Sequence, residues 1–147
     1  MDFLRGHRGV VRERIGIVGY CMGGRVAYLM AAVNPHLQAA VSYYGGKIMV
    51  PWGDGPAPFE RTPAMHCPLL GLFGEDEGNP SPADMRQLDA ELTRLGKVHK
   101  FHSYPGAGHA FMNRRGERYR ADADQDSWPK TLEFFARHLS GVSVASR

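Results

Sequence analysis

The sequence predicts an α/β domain in which helices flank a parallel sheet. Short apolar or β-branched segments alternate with longer segments of helical periodicity along the 147 residues, which is the pattern of repeated strand-and-helix units. Thiol, acidic and imidazole side chains follow directly after three of the predicted strands. No repeat, low-complexity tract or domain boundary interrupts the chain, so residues 1–147 are predicted to form one domain.

The first half of the chain predicts two strands, a helix and a long loop. A strand at 14–19 precedes a helix at 22–33. That helix ends before Pro35, because the residue preceding a proline is disfavoured in the α region. A second strand at 38–44 leads into a Pro- and Gly-rich loop at 45–63. Loops of this length are usually functional or cover a site.

The second half predicts two further strands, at 68–73 and 98–104, each followed by a helix. Ser81 is a suitable N-cap for the first of these helices, and Gly96 a suitable residue just beyond its end. Its apolar positions repeat at helical spacing: Met85, Leu88, Leu92 and Leu95. The terminal helix is predicted at 126–139 with one apolar stripe: Trp128, Leu132, Phe135 and Leu139.

The turn between the first strand and its helix, Gly19-Tyr20-Cys21-Met22-Gly23, carries the most specific chemical signal. It has the pattern of the nucleophile elbow of α/β-hydrolases, with Cys21 in place of serine. Side chains at Gly19 and Gly23 are expected to collide with the crossing strand and helix. The helix N-terminus would favour a thiolate, and the Met22 N–H would receive an oxyanion.

Two other loops supply partners for this thiol. The strand at 68–73 runs into a loop carrying Asp76, and the strand at 98–104 runs into a Gly-rich loop carrying His109. The chain order of nucleophile, acid and histidine is that of the α/β-hydrolases. Because loops at the carboxyl ends of parallel strands converge, the three side chains are expected to meet at one rim of the sheet.

Four motifs in this order give the chain a family resemblance. They are Gly19-Tyr20-Cys21-Met22-Gly23-Gly24, Tyr43-Tyr44-Gly45-Gly46, Gly74-Glu75-Asp76 with Asn79-Pro80-Ser81-Pro82, and Tyr104-x-Gly-Ala-Gly-His109-Ala-Phe111. From about residue 3 to about residue 139 the chain resembles the dienelactone hydrolase family. The resemblance implies that Cys21 is the nucleophile, His109 the general base and acid, and Asp76 the residue that orients His109.

The resemblance covers only the carboxyl-terminal part of that fold. Residues 1–5 read like the tail of the helix before the elbow strand, so the family's N-terminal strands are expected to be missing. Those strands would supply a second oxyanion N–H, and losing one such donor costs on the order of 100–1000-fold in turnover. The elbow strand would have an uncovered edge, which favours a homodimer or pairing with a complementing N-terminal chain.

Each candidate residue also has a structural interpretation. Cys21 could be a small buried hydrophobe, as free cysteines often are, and Cys67 is predicted to be structural. Glu75 and Glu77 compete with Asp76 for the acidic role. His109 could be an exposed loop residue.

The predicted substrate-binding residues are Tyr44, Trp52 and Phe111, although aromatic residues after strands are often just core. Some members of the family hold a substrate carboxylate with an arginine just after the catalytic histidine. The corresponding position here is Asn113, with Arg114 next to it. That departure counts against dienelactones that carry a carboxylate as the substrate.

Composition argues against several other functions. The net charge of +3 comes from mixed-sign runs without nucleic-acid motifs, so no nucleic-acid partner is predicted. The sequence contains neither an apolar stretch near 20 residues nor a signal-peptide pattern, so a cytoplasmic protein without membrane attachment is expected. The histidines lack metal-ligand spacing, and no metal or cofactor is expected.

The sequence therefore predicts an α/β-hydrolase-type parallel sheet and a Cys-His-Asp hydrolase acting on a small ester or lactone. The alternative is a catalytically silent partial domain that pairs with another chain or only binds a small ligand.

Overall fold

The computed structural model describes residues 1–76 and 78–140. Its strands are β1 (Gly16–Tyr20), β2 (Ala39–Tyr43), β3 (Leu69–Gly74) and β4 (His99–Tyr104). Its α-helices are α1 (Asp2–Gly6), α2 (Met22–Val33), α3 (Pro82–Arg94) and α4 (Ala121–Leu139), and a 3-10 helix spans Pro58–Ala64. Strand and helix alternate as the sequence predicts.

The four strands form one parallel sheet in the order β1-β2-β3-β4. The two central strands, β2 and β3, are buried along their whole length. Parallel strands covered on both faces read as continuous apolar runs, which is why the sequence predicts them well. All four strands also end at the same edge of the sheet, so the loops that follow them share one rim.

Alternate residues of the central strands enter two different cores. Ala40 and Leu69 pack with residues of α2 and α3, whereas Val41 and Leu70 pack with residues of α4 and of the loop before it. This alternation follows from the two-residue repeat of a strand. The helices therefore cover both faces of the sheet, as predicted.

Helix α3 has the predicted caps and the predicted apolar stripe. The Ser81 hydroxyl accepts a hydrogen bond from the Asp84 N–H at 3.1 Å, and the Asp84 carboxylate accepts one from the Ser81 N–H at 2.8 Å. Gly96, just beyond the helix, has φ +63°. A side chain at this position would be strained, so the glycine ends the helix.

Helix α4 differs from the prediction in its start and in its buried face. It begins at Ala121 rather than 126, and acidic residues in its first turn favour that start. Its buried residues are Ala123, Asp124, Ser127 and Thr131. Trp128 and Leu132 of the predicted stripe are exposed, because the helix instead directs polar groups at the sheet. The Thr131 hydroxyl is hydrogen-bonded to the Tyr43 hydroxyl at 2.7 Å.

The long loop after β2 folds back onto α2. The 3-10 helix within it contributes Thr62, whose hydroxyl is hydrogen-bonded to that of Tyr28 on α2 at 2.5 Å. Both residues are fully buried. The loop is therefore part of the packed domain, and its first segment is free to form one wall of a site.

Strand β1 is the basis for a prediction about assembly, because it pairs with β2 on one side and is an edge strand of the described sheet. Val18 and Tyr20 of this strand are 37% and 39% exposed, and exposed apolar edges are templates for strand pairing. We expect the chain to self-associate through β1. Val18→Lys should shift sedimentation toward smaller species, because a lysine on an edge strand opposes pairing.

The matched control is Val33→Lys, which places the same charge at an exposed valine at the end of α2. It should leave the sedimentation profile unchanged. A wild-type chain that stays monomeric up to its solubility limit would contradict the expectation.

Candidate active site

Cys21 occupies the sharp turn between β1 and α2 with φ 56° and ψ −120°. Side chains rarely adopt a positive φ, and such conformations cost on the order of 1–3 kcal/mol. Hydrogen bonds hold the strained residue on both sides. Its N–H donates to the Tyr43 carbonyl at 3.0 Å, and its carbonyl accepts from the N–H groups of Gly24 and Arg25 at 3.0 and 3.3 Å. The thiol is exposed at the tip of this turn.

Glycines allow the backbones of β1, α2 and β2 to touch at this turn. A Cβ on Gly19 would lie 1.9 Å from the Gly23 carbonyl oxygen, and one on Gly24 would lie 2.6 Å from the Tyr43 carbonyl oxygen. A Cβ on Gly45 would lie 2.7 Å from the Gly24 carbonyl carbon. The expectation that a side chain at Gly23 would collide is wrong, because an added Cβ there meets nothing within 4 Å. The group of Gly23 that lies against β1 is its carbonyl.

Met22 is the first residue of α2. Its N–H therefore has no acceptor in a preceding turn, and the positive end of the helix dipole lies at this point. The adjacent Cys21 thiol thus has an anion-stabilising backbone group beside it. The Met22 side chain itself is 61% exposed.

Two backbone hydrogen bonds join the loop after β3 to the end of β4 and to the loop that follows it. The Glu75 N–H donates to the Tyr104 carbonyl at 3.1 Å, and the Asp76 N–H donates to the Ala107 carbonyl at 2.9 Å. A Cβ on Gly74 would lie 2.2 Å from that same Ala107 oxygen. The loops carrying Asp76 and His109 are consequently fixed relative to one another.

His109 follows a loop in which Gly106 has φ +71°, and Ala110 after it has φ 66°. The His109 ring packs edge-on against Tyr44, with 5.1 Å between ring centroids. Tyr44 is in turn packed edge-on against Phe111 at 5.2 Å. These contacts with buried aromatic rings position the imidazole on one side, while the residue stays partly exposed.

The loops after all four strands line one open cleft of about 1030 Å³. Cys21, Asp76 and His109 all line it, as do Met22 and Trp52. The lining residues also include four cations, Arg25, Lys47, Arg118 and Arg120, as well as Gly46, Val50, Pro51, Gly78, Asn79, Gly106 and Gly108. Of the competing acids, Glu75 does not line this cleft and Glu77 lies outside the described residues.

Tyr44 and Phe111 lie beneath the cleft and are not among its lining residues. They are 4% and 0% exposed and belong to an aromatic layer formed by residues at the ends of β1, β2 and β4 and in the loop after β4. Tyr20 stacks on Tyr43 in the same layer, with 4.7 Å between ring centroids. Burial raises the pKa of the Tyr43 hydroxyl, although its hydrogen bond to Thr131 acts in the opposite direction.

Asn79, Arg120 and Arg25 are among the lining residues that the sequence analysis did not assign to the site. Asn79 accepts the Lys47 N–H on its side-chain oxygen at 2.7 Å and so joins the loops after β2 and β3. Arg120 donates from Nε to the Gly106 carbonyl at 2.9 Å, which holds the loop before His109. Arg25 is buried in the cleft wall. Only the spacing of Arg25, one helical turn after Cys21, could have indicated it.

Two further findings concern metal ions and membranes. Among residues 1–76 and 78–140, no cluster of three or more His, Cys, Asp or Glu side chains is arranged to hold a metal ion. Nor does any helix within that part of the chain have the length and apolarity needed to cross a membrane.

Comparisons with known proteins give a consistent result. The family model described as "Dienelactone hydrolase family" matches residues 1–139. A Methylorubrum extorquens protein provisionally named carboxymethylenebutenolidase is 35% identical over 142 residues, which are 92% of this chain and 47% of that protein. A Synechocystis protein with the same provisional name is 34% identical over 129 residues, 86% of this chain and 52% of that protein.

Solved structures agree on the fold. A Klebsiella pneumoniae protein provisionally called a dienelactone hydrolase superposes with a TM-score of 0.80 at 31% identity, over 88% of this chain and 55% of the other. A metagenomic dienelactone hydrolase-like phosphotriesterase superposes with a TM-score of 0.79 at 21% identity, over 93% of this chain and 57% of the other. The chain spans about half the length of the curated relatives it matches.

The two cysteines differ enough in environment to predict their reactivity. Cys67 is 6% exposed, and burial raises the pKa of its thiol to about 11, so almost none of it is thiolate at neutral pH. Cys21 is exposed at a helix N-terminus. We expect iodoacetamide to label Cys21 well before Cys67 near pH 7, as followed by mass spectrometry of the two peptides. Preferential labelling of Cys67 would contradict the expectation that Cys21 is the more reactive thiol. The control is a denatured sample, in which both thiols react.

The glycine geometry predicts opposite outcomes for two neighbouring substitutions. Gly19→Ala places a methyl group 1.9 Å from a backbone oxygen and should lower the melting temperature strongly or prevent folding. Gly23→Ala meets open space and should be tolerated, with a gain of up to about 1 kcal/mol from helix propensity. Thermal denaturation followed by circular dichroism compares the two. Equal melting temperatures would show that the backbones of β1 and α2 do not touch in solution.

Proposed function

The chain belongs to the dienelactone hydrolase family, and on that premise we propose that it hydrolyses a small ester or lactone with Cys21, His109 and Asp76. The observation that carries this proposal is that these three residues, which come from three different loops, line one cleft. Cys21 is the nucleophile, His109 the general base and then acid, and Asp76 the group that orients the imidazole.

Acylation forms one covalent bond and breaks another. His109 takes the proton of the Cys21 thiol, and the sulfur attacks the ester carbonyl carbon to give a tetrahedral oxyanion. The Met22 N–H donates to that oxyanion. The intermediate then collapses to a thioester while the carbon–oxygen bond breaks, and His109 gives its proton to the departing alkoxide.

Deacylation repeats these steps with water. His109 takes a proton from a water molecule, and the resulting hydroxide attacks the thioester carbonyl. The Cys21 sulfur then leaves and recovers its proton from the imidazolium. An ester yields an acid and an alcohol, whereas a lactone yields a single hydroxy acid because its alcohol remains attached to the acyl chain.

The architecture of the loops supports these roles. The strained turn at Cys21 presents the thiol above the helix N-terminus, and strain of this kind is often found at catalytic residues. The hydrogen bond between the Asp76 N–H and the Ala107 carbonyl keeps the acid loop against the histidine loop. The acid loop thus stays where Asp76 can orient the imidazole of His109. A fixed orientation favours catalysis, because the imidazole transfers a proton in both acylation and deacylation.

The cleft and the names of two relatives support this substrate class. The cleft is open and has Trp52 on its wall, 60% exposed, so an acyl or lactone ring of modest size can reach the thiol. The two curated relatives are provisionally named for a butenolide, which is an unsaturated lactone. We therefore place small esters and lactones in this cleft, with Trp52 as the apolar surface against which they lie.

The proposal predicts which substitutions abolish turnover. With p-nitrophenyl acetate as substrate, Cys21→Ala and His109→Ala should each remove nearly all activity and Asp76→Asn somewhat less. The double variant Cys21→Ala/His109→Ala should be hardly worse than either single one, because the three residues act as a unit. The initial rate of p-nitrophenolate release, followed by absorbance at 400 nm, measures the activity of each variant.

Two controls separate chemistry from folding. Cys67→Ala removes the other thiol, which does not line the cleft, and should retain the rate whenever circular dichroism shows a native spectrum. His66→Ala removes an exposed histidine outside the cleft and should do the same. Full activity in a folded Cys21→Ala variant would overturn the mechanism.

A further inference from the structure

Residues 105–120 connect β4 to α4 without forming a strand or a helix. His109 lies near the start of this connection, and Arg118 and Arg120 lie at its end; all three line the cleft. An irregular segment of this length keeps one conformation only if contacts with the rest of the domain offset the loss of conformational entropy. The contacts that hold residues 110–120 therefore determine how firmly one side of the cleft is placed.

Asp124 of α4 binds this segment at two points. Its Oδ2 accepts a hydrogen bond from the Arg114 Nε at 2.8 Å and another from the Tyr119 hydroxyl at 2.8 Å. The side chain of Asp124 is only 3% exposed, whereas that of Arg114 is 75% exposed. A buried charge is ordinarily paired, and hydrogen bonds to a charged acceptor are the stronger ones. The buried carboxylate thus ties the segment to α4.

A second buried polar residue of α4 contacts the same segment. Ser127, which lies almost one helical turn after Asp124, donates a hydrogen bond from its hydroxyl to the Met112 sulfur at 3.2 Å. Both Ser127 and Asp124 are on the buried face of α4. The polar character of that face, which the apolar pattern of the sequence does not predict, is thus directed partly at the segment after His109.

Hydrogen bonds continue from this anchor to both sides of His109. Arg120 follows Tyr119 in the chain, and its Nη1 donates to the Tyr119 carbonyl at 2.9 Å. The Arg120 N–H donates to the Phe111 carbonyl at 3.0 Å, and its Nε donates to the Gly106 carbonyl at 2.9 Å. Gly106 precedes His109 and Phe111 follows it. The backbone that carries the imidazole is therefore held between two points that both depend on Arg120.

A simpler role for Asp124 is to stabilise α4, since an acid in the first turn of a helix interacts favourably with the helix dipole. Asp122 has the same property and is exposed in the same turn. The dipole does not require that an acid be buried or that it face donors from a distant segment. Asp124 does both, because Arg114 and Tyr119 bind it.

We propose that Asp124 is a positioning residue for the candidate active site: its buried carboxylate holds residues 110–120 against α4 and thereby keeps the His109 imidazole in its place in the cleft. This deepens the proposed function and rests on it. Neither Asp124 nor Arg114 lines the cleft, so Asp124 acts through the segment and not on the substrate.

The test follows the His109 imidazole directly by NMR. Its ring signal in a ¹H–¹³C correlation spectrum is the one that disappears in His109→Ala. Asp124→Ala removes the acceptor of both hydrogen bonds and should shift or broaden that signal. With p-nitrophenyl acetate, the same variant should lower kcat by about 10-fold to 100-fold and change KM much less, because a catalytic group misplaced by about 1 Å can cost roughly 100-fold in rate.

Asp124→Asn is the conservative variant, since it keeps the shape of the side chain and one uncharged acceptor oxygen. Its hydrogen bonds are weaker than those of a carboxylate. The His109 signal of this variant should lie closer to the wild-type position than that of Asp124→Ala, and part of the lost kcat should be recovered.

The matched control is Asp122→Ala, which removes an exposed acid from the same turn of α4. It should lower the melting temperature slightly and leave both the His109 signal and kcat unchanged. If Asp124 only stabilises the helix, Asp124→Ala measured well below its melting temperature will also keep the wild-type His109 signal and kcat. That result would overturn the proposal.

A second variant keeps the test decisive if Asp124→Ala does not fold. Arg114→Met/Tyr119→Phe removes the two donors from the other side of the same hydrogen bonds and should change the His109 signal in the same way. A wild-type signal in the folded double variant would overturn the proposal.

The NMR measurement also separates this proposal from the proposed function. If the wild-type chain does not cleave the ester, a displaced His109 signal in Asp124→Ala supports the positioning role and counts against the hydrolase alone. If the wild-type chain cleaves the ester and the signal stays in place, the positioning role fails and the hydrolase stands.

Discussion

The contact between the backbones of β1, α2 and β2 is the constraint on which the candidate site depends. Gly19 lies against the Gly23 carbonyl, and Gly24 lies against both Tyr43 and Gly45. No side chain can be accommodated between these backbones. Because the helix starts so close to the strand, the intervening residue adopts a positive φ, and the Cys21 side chain points out of the turn. Packing of glycines thus determines the position of the reactive group.

A second set of hydrogen bonds fixes the other loops at this edge of the sheet relative to one another. The loops after β3 and β4 are joined through Ala107, whose carbonyl accepts from Asp76. The loops after β2 and β3 are joined through Asn79. Arg120 completes the set by holding the Gly106 carbonyl. Each loop is therefore hydrogen-bonded to a neighbouring loop. These bonds hold residues that are distant in sequence around one cleft.

The sequence predicts features that depend on local periodicity. The four parallel strands, the caps of α3 and the loop placement of Cys21, Asp76 and His109 follow from residue type and spacing, and the structure agrees with them. Features that depend on tertiary packing were predicted poorly. Gly23 was expected to be sterically essential, but only the packing of α2 against the end of β2 reveals that Gly24 is a constrained glycine. The buried face of α4 was missed because hydroxyl groups, rather than the apolar stripe, bond to the sheet. Arg25 was missed because the loop that buries it is far away in sequence.

The aromatic layer under the cleft has a consequence for the electric field at the reactive groups. Burial raises the pKa values of Tyr20 and Tyr43, and burial together with the Asp126 carboxylate raises that of Tyr104. These phenols consequently stay neutral throughout the pH range in which a cysteine and a histidine exchange protons. The floor of the cleft contributes fixed dipoles and no changing charge. The phenols of this layer therefore add no changing charge to the field that a substrate meets in that pH range.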